Sequence, residues 1–128
     1  TVLLVDDEAI VIDVGKPMLE TIGYQVLVSI NGQGAIDMVR RHGAAIDLVI
    51  LDLIMPGMDG GQVFDHIRNL RPDLPVILSS GYSFDGQASD IIGRGCDGFI
   101  QKPFSLSKLS QKVRQILDKR RLRGSTPM

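Results

Sequence analysis

The chain has 128 residues, 44% of them hydrophobic, with a formal net charge of −1 and one cysteine. That suits one ordinary domain with a real core. It excludes a disulfide framework within the chain and leaves no bulk basic footprint for direct nucleic-acid binding. Neither an apolar stretch of membrane-spanning length nor a signal peptide is visible, so no membrane contact and a cytoplasmic location are expected.

The chain opens without Met, directly in an apolar run, as would a piece of a longer protein or one lacking its leading residues. Apolar, β-branched-rich runs recur at Val2–Val5, Tyr24–Ile30, Ile46–Leu51, Leu74–Leu78 and Gly98–Ile100. Each is short and bounded by turn-forming residues, as buried strands are. Helical spacing lies between them. Val11, Val14, Met18 and Ile22 share one face of a first helix, in which Pro17 predicts a kink. Ala35–Val39 suggests a second helix, with Asn31 as its cap. Val63, Ile67 and Leu70 mark a third, and Ala88–Ile92 a fourth. Leu106, Leu109, Val113 and Ile116–Leu117 mark a fifth, capped by Ser105. Cys96, near Ile91, Ile92 and Phe99, reads as a small core residue, and His42 and His66 as surface residues.

Five βα units in strict alternation imply an α/β fold. The natural topology is a flavodoxin-like (βα)5 doubly wound sheet of five parallel strands, in the order 2-1-3-4-5. The domain is expected to span residues 1–120. Residues 121–128 are basic, then rich in small residues and proline, and read as a flexible tail or the start of a linker.

In open α/β sheets, ligands bind at the carboxyl ends of the strands. There the first strand delivers Asp6, Asp7 and Glu8, the third Asp52, the fourth Ser79 and Ser80, and the fifth Lys102. Taken singly, these residues have bland readings as turn formers, helix caps or solvated loop residues. Together, Asp6, Asp7 and Asp52 would repel one another and raise their own pKa values. A divalent cation with Lys102 balances them, and hard carboxylate oxygens suit Mg²⁺. Such a site can accept a phosphoryl group, with Asp52 as a carboxylate nucleophile.

Four motifs in order, "VDDE", "DLIMPGMDG", "SSG" and "KPF", resemble those of response-regulator receiver domains of two-component signalling, over essentially the whole length. The resemblance implies that Asp52 takes a phosphoryl group from a phosphohistidine on a histidine kinase or histidine phosphotransfer domain. It implies a regulatory domain rather than an enzyme, acting on an output domain or target still to be identified. It further implies Asp7, Asp52 and the Ile54 carbonyl as Mg²⁺ ligands, with Asp6 acting through water. Lys102 would pair with Asp52 and the phosphoryl oxygens, across a cis Lys102–Pro103 bond. Ser80 and Phe99 would be the switch pair, standing where Thr and Tyr are commoner, and Ile54 and Tyr82 would flank the approach of hydrolytic water. "SSGYS" resembles the receivers of hybrid sensor kinases. Two alternatives are a Mg²⁺-dependent phosphatase or mutase of haloacid dehalogenase type, and a pseudo-receiver that is not phosphorylated. The first wants Asp-x-Asp after strand one, where this chain has adjacent aspartates; the complete set of site residues argues against the second.

Overall fold

The computed structural model describes residues 1–81 and 86–125, with the backbone alone for 120–125. The strands are β1 (Val2–Val5), β2 (Val26–Ser29), β3 (Leu48–Asp52), β4 (Val76–Ser80) and β5 (Gly98–Gln101). The helices are α1 (Ala9–Thr21), α2 (Gly32–His42), α3 (Gly60–Leu70), α4 (Gly86–Gly93) and α5 (Leu106–Ser125). All strand pairs are parallel and the order is β2-β1-β3-β4-β5, the flavodoxin-like topology expected.

Every residue of β1, β3 and β4 is buried, because helices cover both faces of the sheet. Side chains alternate between two cores. Leu3, Val5, Val49 and Leu51 pack toward α2, α3 and α4. Val2, Leu4, Leu48 and Ile50 pack toward α1 and α5. The period of two along each strand sends the same apolar run into both layers.

The inward face of α1 is rotated from the one expected. Gly15 and Leu19 are buried, while Val14 is 46% exposed. The reason is close packing: a Cβ on Gly15 would stand 3.1 Å from Leu4 Cδ2 and 3.7 Å from the Phe104 ring. The helix approaches the sheet through its glycine, and Val14 is turned outward. Leu70 and Leu106, at helix ends, are also exposed. Helix α1 runs unbroken through Pro17. Pro17 and Asp13, whose carbonyl loses its helical partner there, both lie on the exposed side.

The expected caps are present. Asn31 Oδ1 accepts from the Gly34 amide at 2.7 Å, and Ser105 Oγ from the Lys108 amide at 3.1 Å. Helix α5 continues five residues past the boundary expected at 120, through the basic run to Ser125. Residues 126–128 lie outside the described residues. Among the described residues, no helix is long and apolar enough to cross a membrane.

Candidate functional site

Parallel pairing brings the carboxyl ends of β1, β3 and β4 to one edge, with Val5 beside Leu51 and Asp52 beside Ser79. Asp6 follows β1 at once and is fully buried; Asp52 closes β3 and is 3% exposed. Lys102, one residue beyond β5, reaches back across the edge. Its ammonium donates to Asp6 Oδ2 at 3.0 Å, Asp52 Oδ1 at 3.2 Å and Glu8 Oε1 at 3.4 Å. Its backbone is pinned as well, the Lys102 amide donating to the Ser80 carbonyl at 2.7 Å before the cis bond to Pro103. Asp6 Oδ1 accepts from the Glu8 amide at 2.9 Å, which orients the buried carboxylate.

One carboxylate oxygen each from Asp6, Glu8 and Asp52 lies within 4.8 Å of the others. Glu8 was not assigned to the site from sequence; its place in the acidic run after β1 was the available signal. Asp7 is exposed and lies outside that close trio, but it lines the same cleft. The cleft has a volume of about 510 Å³ and is also walled by Asp52, Ile54, Ser80 and Lys102. The side chain of Ile54 is 51% exposed at its wall. Tyr82, expected near the same approach, lies outside the described residues.

Burial pushes the Asp52 carboxyl up to about 7. The charge of Asp6 adds to the rise, Lys102 offsets part of it, and a hydrogen bond with Asp7 raises it further. For Lys102, burial acts downward, but the hydrogen bond to Asp6 and the charges of Asp52 and Asp6 outweigh it, leaving a net rise. One ammonium thus faces several carboxylates. The oxygen-only donor set and the unbalanced negative charge fit a hard divalent cation. Asp6, Glu8 and Asp52 bring carboxylate oxygens close enough together to hold one, and Asp7 lines the same cleft.

Phe99 is half-buried on β5, opposite Leu78, and packs against the core under α2 to α4. Ser80 is buried at the end of β4, opposite Gln101. The remaining candidates behave as core or surface. Cys96 is buried, its thiol pushed up to about 11 mainly by burial, and its Sγ lies 3.1 Å from the Val76 carbonyl. His42 and His66 are exposed. The acidic cap of α3 escaped the sequence reading. Asp59 accepts from the Gln62 amide at 2.9 Å and Gln62 accepts from the Asp59 amide at 3.1 Å, a capping box announced by the D-x-x-Q spacing.

Known proteins resemble this chain in sequence and share its fold. Residues 2–114 match the family model described as the response regulator receiver domain. The chain is 37% identical to the sensor kinase CckA of Brucella abortus over 93% of its own length and 13% of the kinase. It is 36% identical to the response regulator GtcR of Aneurinibacillus migulanus over 82% of this chain and 42% of that protein. The chain therefore spans less than half the length of either relative. The crystal structure of the receiver domain of NtrX from Brucella abortus superposes with a TM-score of 0.85 at 30% identity, covering 92% of this chain and 98% of that one. These matches support neither the haloacid dehalogenase reading nor the pseudo-receiver. With the carboxylate edge, the reaching lysine and the family match all in register, the chain belongs to the response regulator receiver domains.

Proposed function

We propose that Asp52 is the phosphoacceptor of this receiver and that a partner histidine kinase or histidine phosphotransfer domain is the donor. The observation that carries this is the Lys102 ammonium, held between Asp6 and Asp52 at 3.0 and 3.2 Å in the lining of the cleft. An Asp52 carboxylate oxygen attacks phosphorus in line, and the P–N bond of the phosphohistidine breaks. The bonding pair stays on the imidazole nitrogen, and Asp52 becomes an acyl phosphate. Lys102 is placed to follow the negative charge from the Asp52 carboxylate to the phosphoryl oxygens. Asp6, Asp7, Asp52 and the Ile54 carbonyl would hold Mg²⁺, with Glu8 beside them. When bound, the ion supplies the positive charge that the phosphoryl oxygens need.

The buried Ser80 hydroxyl lines the cleft and is suited to hydrogen-bond the phosphoryl group. Phe99, half-buried on the neighbouring strand, would bury its ring further once Ser80 moves inward, and so change the surface that a target reads. The likeness to a sensor kinase and to a response regulator, each much longer than this chain, favours a receiver module within a larger signalling protein.

The test is intact mass after incubation with phosphoramidate, with and without Mg²⁺. One phosphoryl group should appear with Mg²⁺ only and be absent from Asp52→Asn. Label that persists without metal, or in Asp52→Asn, overturns the assignment.

A further inference from the structure

The loop that leads from Asp52 away from the sheet is closed by a glycine. The Gly60 amide donates to the Leu53 carbonyl at 2.8 Å and shuts residues 53–60 into a ring. Gly60 is buried, and it is not among the glycines with positive φ, which are Gly23, Gly57 and Gly95. Its lack of a side chain answers a need for space. A Cβ at this position would lie 2.8 Å from the Asp52 carbonyl oxygen, 2.8 Å from Leu53 Cα and 2.9 Å from the Leu53 carbonyl oxygen. All three obstacles are backbone, so no rotamer change relieves them. Nor can α3 retreat freely, because Val63, Phe64 and Ile67 on its inward face are buried in the core against the sheet. An added methyl must therefore displace Asp52 and Leu53, and with them Ile54.

We propose that Gly60 is a positioning residue: its close approach sets the depth of the Asp52 carboxylate and of the Ile54 carbonyl at the cleft. The inference rests on the reading of Asp52 and Ile54 given above. Gly43 provides a matched control. A Cβ there would also meet backbone, 2.5 Å from the Val39 carbonyl oxygen, but at the carboxyl end of α2 and so at the opposite pole of the sheet.

The experiment compares Gly60→Ala with Gly43→Ala. Mg²⁺ is titrated without any phosphodonor and followed by amide NMR shifts; phosphoryl uptake from phosphoramidate is then measured at saturating Mg²⁺. Displaced ligand support typically costs about tenfold or more in metal affinity. Gly60→Ala should lose about that much and take up phosphate slowly, while Gly43→Ala should keep wild-type values despite lower stability to urea. Wild-type Mg²⁺ affinity in folded Gly60→Ala, or an equal loss in both variants, overturns the proposal. Should Gly60→Ala not fold, hydrogen exchange in the wild type decides. Mg²⁺ should slow exchange of the Gly60 amide more than that of Arg71, which caps the far end of α3 through the Ile67 carbonyl at 2.8 Å. Equal slowing overturns the proposal. Phosphoryl uptake on Asp52 in the wild type tests the underlying reading separately, since it does not depend on how Gly60 behaves.

Discussion

Asp52→Asn should make the fold more stable above neutral pH. In the wild type, burial and the neighbouring Asp6 raise the Asp52 carboxyl from 3.8 to about 7, so the folded chain holds this proton more tightly than the unfolded chain. The resulting stability is complete below about 3.8 and is lost as pH rises through about 7. At roughly 1.4 kcal/mol for each tenfold change in proton affinity, the loss is capped at about 4 kcal/mol. Asparagine keeps the shape and can accept from Lys102, but it withdraws one of that ammonium's ionic partners. Because the rise to about 7 is already net of the attraction to Lys102, the gain at pH 8 is bounded by the same figure, at most about 4 kcal/mol. Urea unfolding of both proteins at pH 8 and pH 4, without metal, measures it. The variant should lead by a midpoint shift on the order of 1 M at pH 8, and the lead should nearly vanish at pH 4. Adding Mg²⁺ at about a hundred times its dissociation constant should then raise the wild type by about 2.7 kcal/mol and the variant by much less. A variant no more stable than wild type at pH 8, or one with the same lead at both pH values, would refute the reasoning.

Two further outcomes follow from the same geometry. Lys102→Met leaves Asp6 and Asp52 buried without their cation. It should cost about 3 kcal/mol at pH 8, and less at pH 5, where Asp52 is protonated; a cost independent of pH in urea unfolding would count against the ion-pair account. Ile54→Asn puts a hydrogen-bonding group at the exposed wall of the cleft, where the wild-type side chain has none to orient water. Decay of the phosphorylated protein, followed by intact mass, should speed up several-fold, and unchanged or slower decay would show that Ile54 does not govern the approach of hydrolytic water.

Much of this protein was legible in its residues alone. Short β-branched runs alternating with helical spacing determined five βα units. Parallel topology then required Asp6, Asp52, Ser80 and Lys102 to emerge at one edge, whatever the details of packing. The caps at Asn31 and Ser105 were readable because they depend on neighbours three residues away. What stayed hidden depends on distances between remote segments. The pattern of α1 marked Val14 as inward, but contact of Gly15 with Leu4 and Phe104 turned it out. Lys102 meets Asp6 across 96 residues of chain, and Glu8 joins them only because the lysine arches over the ends of β1 and β3. Gly60 could be read as part of a motif, but not as a glycine pressed against the backbone of Asp52 and Leu53. That the clustered carboxylates raise one another's pKa values was readable; that burial leads the rise and carries Asp52 to about 7 is a tertiary property. Periodicity and chain order are local or topological and survive in one dimension; desolvation and charge repulsion depend on separations of a few ångströms, which only the packed sheet and helices set.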